Sequence, residues 1–251
     1  MTESNCAVDC RALSFIGQNS KIPAVLYGAE SDKVFVFVHG QFGNKFEAES
    51  FARIAVPRGW QVLAFDLPEH GERKNNVADS ANSFDPWHAV PEIRQIFSEL
   101  RSQNKRLALR ATSIGAWFAL LAARETPIDC CLLVSPLLDM ERMITGMMTT
   151  ANVSEKELRD AGEIPTANGA VLSYGYLLYA RNNRVSAPCK NTYVLRGEND
   201  AVIPFDTVSD FCRKNDCPLT VMQNGEHWFH TDAQCKFMAD WEAAALDEFG
   251  R

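Results

Sequence analysis

The feature that most constrains this chain is an alternation between short apolar runs and segments with a helical apolar period. Runs at 33–38 (Lys-Val-Phe-Val-Phe-Val), 60–65, 105–111 and 129–134 are almost continuously apolar, and 192–196 and 218–222 look like two more. A strand apolar at nearly every position must be covered on both faces, which is the situation of a central parallel strand. Between the runs, Ile93, Ile96, Phe97 and Leu100 recur at i, i+3, i+4 and i+7, one apolar helical face. Thr231 with Gln234 forms a capping-box signal, followed by the stripe Phe237, Trp241, Ala244 and Ala245. Strands alternating with helices imply a doubly wound, mostly parallel α/β sheet with helices on both faces and right-handed crossovers. Segments 11–17 and 22–27 fit an antiparallel hairpin at the sheet edge, where Pro23 is tolerable. The expectation is a single domain over residues 1–251.

One interval breaks the rhythm. Between the run at 129–134 and that at 192–196 lie far more residues than one crossover helix requires. Met140, Met143, Ile144 and Met147 share a helical face there, Ser154 with Glu157 signals a capping box, and Val153 with Leu158 a hydrophobic staple. A third apolar run covers Val171 to Tyr179. We read about 138–184 as a small helical cap inserted into the sheet domain. Met140, Met143, Met147 and Met148 would suit a pocket for varied acyl chains, with Tyr174, Tyr176 and Tyr179 as walls.

Charge narrows the partners. A net charge of −7 and no run of Lys or Arg argue against nucleic acid and anionic membranes, which are gripped by clustered basic side chains. No window is apolar and long enough to span a bilayer, and the segment Met1–Cys6 lacks the pattern of a signal peptide, so the cytoplasm is the expected compartment. Eight cysteines include no Cys-x-x-Cys pair and no zinc spacing with histidine; no metal site is expected. Cys130 and Cys131 lie in an apolar strand and read as reduced core residues.

Reactive groups in such sheets gather on loops at the carboxyl ends of strands. Four of these loops carry distinctive residues: His39-Gly40-Gln41-Phe42-Gly43-Asn44, Ala111-Thr112-Ser113-Ile114-Gly115, Gly197-Glu198-Asn199-Asp200-Ala201-Val202-Ile203-Pro204, and Asn224-Gly225-Glu226-His227-Trp228-Phe229. A nicotinamide site would need Gly-x-Gly-x-x-Gly after the first parallel strand, and 39–44 does not supply it. No organic cofactor is implied.

From about residue 20 onward these loops resemble the α/β-hydrolase superfamily, whose triad runs in the order Ser, acid, His. Ala111-Thr112-Ser113-Ile114-Gly115 is similar to its nucleophile elbow, Gly-x-Ser-x-Gly, with Ala111 in place of the first glycine. The resemblance implies Ser113 as nucleophile, His227 as base and Asp200 as the acid that orients it. It also implies an oxyanion hole built from the backbone N–H groups of Gln41 and Ile114. Glu198 and Asp139 compete with Asp200, and the Asp-x-x-x-Pro pattern from Asp200 to Pro204 favours Asp200. His230 competes with His227, and Gly225-x-His227 matches the family loop. His39 and His70 read as structural, the latter within a segment similar to the family's Asp-x-x-x-x-Gly loop; His88 has no assigned role. Met143, Met147, Tyr176 and Trp228 are candidate substrate contacts. The implied activity is hydrolysis of a small-molecule carboxylic ester through an acyl-enzyme. A thioesterase, a small-peptide hydrolase and a non-catalytic receptor on the same fold are the alternatives.

Overall fold

The computed structural model describes residues 8–17, 21–74, 83–167 and 169–250. Met1–Cys6, read above for a signal peptide, lies outside them. The centre is an eight-stranded sheet. In chain order its members are β1 (Cys10–Ile16), β2 (Lys21–Tyr27), β3 (Lys33–Val38), β4 (Gln61–Phe65), β5 (Arg106–Thr112), β6 (Cys130–Val134), β9 (Thr192–Gly197) and β10 (Leu219–Met222). Across the sheet they lie in the order β1-β2-β4-β3-β5-β6-β9-β10. The β1–β2 hairpin is antiparallel, with Leu13 opposite Ala24, and β2 runs antiparallel to β4; every other pair is parallel.

The helices that return the chain between parallel strands cover both faces. Alternation along β3 shows how: Val34, Val36 and Val38 enter one core cluster, and Phe35 and Phe37 enter another. The valine face packs under α2 (Pro86–Ser102) and α3 (Ser113–Ala122), together with α7 (Phe205–Asn215). The phenylalanine face packs under α1 (Ala48–Ala55) and α8 (Asp232–Phe249). Phe35 meets Phe51 of α1 edge to face at 5.0 Å, an arrangement that adds ~0.5–1.5 kcal/mol to the area the rings bury. The expected capping box at Thr231 and Gln234 is present at the start of α8.

One polar link crosses the second face. Arg110 on β5 is buried, its Nε donates to Glu242 of α8 at 2.8 Å, and its guanidinium lies over the Phe37 ring at 5.0 Å. Both members of this ion pair have almost no exposed side-chain surface.

Between β6 and β9 the chain forms α4 (Met140–Thr150), α5 (Glu155–Ala161), a hairpin of β7 (Glu163–Pro165) with β8 (Val171–Ser173), and α6 (Tyr174–Asn182). The apolar run from Val171 to Tyr179 therefore divides into a strand and a helix, with Ser173 as the N-cap that starts the helix by accepting from Tyr176 N–H. Ser154 and Glu157 make the reciprocal capping box. The methionines of α4 separate: Met140 and Met148 join Ile144 in the main core, while Met143 and Met147 are only partly buried.

The chain leaves β3 toward β4 on one side and comes back to β5 on the other. A crevice opens outside the carboxyl ends of β3 and β5, the place where doubly wound sheets bind ligands. Gly40 and Ser113 meet in that crevice: a Cβ on Gly40 would lie 3.3 Å from Ser113 Cβ.

Candidate active site

Ser113 stands where β5 becomes α3 with no intervening loop. Its φ is +50°, a left-handed conformation that a side-chain-bearing residue adopts only under constraint. The close approach of neighbouring backbone supplies the constraint. A Cβ on Gly115 would fall 2.0 Å from the His39 carbonyl oxygen, so only glycine lets the first turn of α3 rest against the loop after β3. The Ser113 carbonyl accepts from Leu137 N–H at 3.0 Å, which ties the turn to the loop after β6.

Ser113 Oγ lies 3.0 Å from His227 Nε2, and His227 Nδ1 lies 2.8 Å from Asp200 Oδ2. The carboxylate only accepts, so Nδ1 carries the imidazole proton and Nε2 presents its lone pair to the serine hydroxyl. Asp200 is fixed from its other oxygen, since Oδ1 accepts Val202 N–H and Ile203 N–H, each at 2.9 Å. Burial alone would raise the Asp200 pKa. The bond to His227 and the amides of Ile203 and Val202 outweigh it and hold the carboxyl below its ordinary range. The buried Arg196 guanidinium secures this loop by donating to the carbonyls of Asp200 and Ile203 at 3.4 and 3.3 Å.

The competing acids stand elsewhere. Glu198 accepts Asn224 N–H at 2.9 Å and so links the acid and histidine loops. Asp139 caps α4 by accepting Arg142 N–H at 2.9 Å and pairs with Arg184. His230 bonds the Trp228 carbonyl at 2.8 Å and approaches Glu226. His88 pairs with Asp85 at the start of α2.

His39 and His70 share one wiring pattern. His39 Nδ1 is 2.8 Å from the Gly40 carbonyl, and Nε2 accepts Leu67 N–H at 3.1 Å. His70 Nδ1 is 2.7 Å from the Pro68 carbonyl, and Nε2 accepts Phe42 N–H at 2.9 Å. Each ring donates from Nδ1, accepts at Nε2, and is therefore neutral. Burial lowers the pKa of both, that of His39 to about 4. Asp66, fully buried between them in sequence, receives Lys45 N–H, Lys45 Nζ and Glu72 N–H, and so pins the two loops together.

Among the described residues the amides of Gln41 and Ile114 donate to no protein acceptor. Ile114 lies in the first turn of α3, where an N–H has no partner inside the helix. Beside the acid loop a cavity of about 700 Å³ is lined by Leu137, Met143, Met147, Ala201, Val202 and Ile203, among others. The remaining two substrate candidates lie outside this lining. Tyr176 is packed between Trp117 and Trp87, at 5.9 and 5.8 Å, and its buried hydroxyl has no hydrogen-bond partner among the described residues. Trp228 is 74% exposed and stacks on His230 at 5.0 Å. The acid loop's contribution to the cavity went unread in the sequence, because Ala201, Val202 and Ile203 carry no chemical signature of their own.

No curated protein sequence matches this chain. Among solved structures, Est1E from Butyrivibrio proteoclasticus superposes with a TM-score of 0.74 at 15% identity, over 95% of this chain and 98% of that one. An esterase from Pyrococcus furiosus gives 0.62 at 19% identity over 96% and 92%. A monoglyceride lipase from Saccharomyces cerevisiae gives 0.67 at 12% over 98% and 96%. At such identities the likeness is one of fold. The model of the alpha/beta hydrolase family matches residues 35–241, a span that holds all the loops described above, and the chain belongs to that family.

Proposed function

We propose that this hydrolase is a serine esterase that cleaves a small or medium-sized carboxylic ester through an acyl-enzyme on Ser113. The supporting observation is the continuous chain Ser113 Oγ, His227 Nε2, His227 Nδ1, Asp200 Oδ2, with polar contacts of 3.0 and 2.8 Å. As Oγ bonds to the ester carbonyl carbon, its proton passes to Nε2 and the carbonyl π electrons move onto oxygen. The amides of Gln41 and Ile114 are the donors for that oxyanion. Collapse breaks the bond to the alcohol oxygen, which leaves with the proton from Nε2. Water then repeats the sequence, giving its proton to Nε2 and releasing the acid. Asp200 holds the imidazole in the required tautomer and stabilises it while it is charged. The cavity bordered by Met143 and Met147 accommodates part of the substrate, and the inserted segment 138–184 acts as a cap that shapes it.

A fluorophosphonate probe tests the centre of this reading. Labelling is expected at Ser113, with turnover lost by about 10⁴–10⁶ in Ser113→Ala. A chain-length series of aryl esters, run beside thioesters and peptide amides, tests the substrate class. Esters are expected to turn over fastest. Labelling at another serine, or unchanged turnover in the variant, overturns the mechanism.

A further inference from the structure

The loops after β3 and β4 exchange histidines. The loop after β3 lends His39 to the loop after β4, where it accepts Leu67 N–H. The loop after β4 lends His70 back, where it accepts Phe42 N–H. The rings lie 5.2 Å apart, and the His70 ring also packs on Phe84 at 4.4 Å. The first bond acts on the loop after β4, a strand that β3 separates from β5. The second acts on the residue next to Gln41.

Gly40 to Gly43 is a hydrogen-bonded turn, closed by Gly43 N–H to the Gly40 carbonyl at 3.2 Å. Its third residue, Phe42, has φ of +67°. A positive φ at that place is the signature of a type II turn, which ordinarily requires glycine there. Here the residue is an aromatic with 82% of its surface exposed, so packing of its own side chain does not compensate the strain. The common alternative, a type I turn, differs by a flip of the peptide between Gln41 and Phe42. That flip would turn the Phe42 N–H away from His70 Nε2 and bring the Gln41 carbonyl toward the same lone pair. Because the Pro68 carbonyl fixes the proton on Nδ1, Nε2 is an acceptor that attracts one orientation of this peptide and repels the other.

We infer that His70 is a positioning residue for the oxyanion hole, holding the Gln41–Phe42 peptide in its strained orientation through Nε2. It touches no substrate. Its effect passes through Phe42 to the backbone of Gln41, whose N–H must face the oxyanion. This rests on the acyl-transfer reading above, within which it assigns a role to a buried histidine outside the triad.

Two amide replacements separate this role from simple packing. His70→Gln can present its side-chain oxygen near the place of Nε2, whereas His70→Asn reaches only as far as the place of Nδ1. Both lose the ring contacts to Phe84 and His39, so that loss cancels between them. With a short aryl ester, His70→Asn should lower kcat by at least ~10-fold with KM changed less than about twofold, and His70→Gln should stay within about threefold of the parent. The same pair is then made in Phe42→Gly, where a positive φ carries little penalty. There His70→Asn should cost less than about threefold. Equal losses for the two amides, or an undiminished loss in the Phe42→Gly background, overturn the assignment. If neither histidine variant folds, the exposed Phe42→Pro, which removes the N–H and forbids positive φ, carries the test: kcat should fall with KM held, and an unchanged kcat overturns it. Ser113→Ala runs alongside. Retained turnover in that control is failure of the hydrolase reading itself, whereas equal amide variants with turnover still dependent on Ser113 are failure of this inference alone.

Discussion

Gly115→Ala is the smallest change that should disable the site without touching a reacting atom. The added methyl would stand 2.0 Å from the His39 carbonyl oxygen, 3.0 Å from its carbon and 3.1 Å from the Val38 oxygen. An ordinary contact begins at about 3.4 Å, so about 1.4 Å of separation must be found between α3 and the loop after β3. Neither side yields easily. The helix is anchored by the fully buried Phe118 and Ala119, and the loop by the bonds of His39 to Leu67 and Lys45 to Asp66. Overpacking of this kind costs about 1–3 kcal/mol. In a chain of this size that lowers Tm by roughly 2–4 °C per kcal/mol. The loss in kcat should be the larger effect. The displacement separates Gln41 from Ile114, and about 1 Å of misplacement in a reacting geometry costs on the order of 10²-fold. The measurements are kcat and KM on an aryl ester, the rate of fluorophosphonate labelling, and Tm. A variant with full kcat and labelling would refute the claim that contact between Gly115 and His39 sets the oxyanion geometry.

Asp200→Asn should lower kcat by roughly 10³–10⁴, because an amide at that position no longer selects the Nδ1–H tautomer. Asp139→Asn and Glu198→Gln should leave kcat within a few-fold, and a crippling Asp139→Asn would transfer the acid's role to that residue. Acid should destabilise the fold through His39. The folded protein holds the ring neutral, with its pKa lowered to about 4, while the unfolded chain protonates below about 6.5. Stability is therefore full above pH ~6.5 and falls as pH drops toward 4, by about 3 kcal/mol in all. Urea midpoints should show a shallower decline over that window in His39→Gln, and parallel curves would refute the assignment. Met143→Ala and Met147→Ala should reorder the preferred acyl length with little change in Tm. A lowered Tm with the order kept would make them packing residues only.

How much of this was visible in the sequence depended on how local each signal is. The elbow is one strand-to-helix step, and a serine between small residues there carries its constraint in five consecutive letters. Capping boxes at Ser154 and Thr231 are equally local and fell where they were read. The sheet order is not local. Nothing within β2 states that it pairs with β4, because that choice is made by the crossover from β3. Helix α1 gives few large apolar letters to read, because its buried face is mostly small side chains, Ala48, Ala52 and Ala55 beside Phe51. Tyr176 was read as a pocket wall from residue type alone. Its direction is set by Trp117 and Trp87, which lie tens of residues away in sequence. The role of His70 required the Phe42 φ angle, which no side-chain pattern encodes.

The ion pair between Arg110 and Glu242 bears on how the molecule is made. Arg110 lies in the strand that ends at Thr112, one residue before Ser113, and its carboxylate partner follows 132 residues later. A guanidinium without its counter-ion resists leaving water, and stranding one in a dry interior costs about 3–5 kcal/mol. During synthesis, then, the middle of the sheet holds a charge that must stay hydrated until α8 has emerged and can dock. His227 and the helix that neutralises Arg110 arrive within a few seconds of each other at ordinary ribosome speeds of about 5–20 residues per second. A nascent chain long enough to carry the serine, the acid and the histidine is still too short to seal the floor beneath them. The interior on that face of the sheet can therefore close only once α8 has been made.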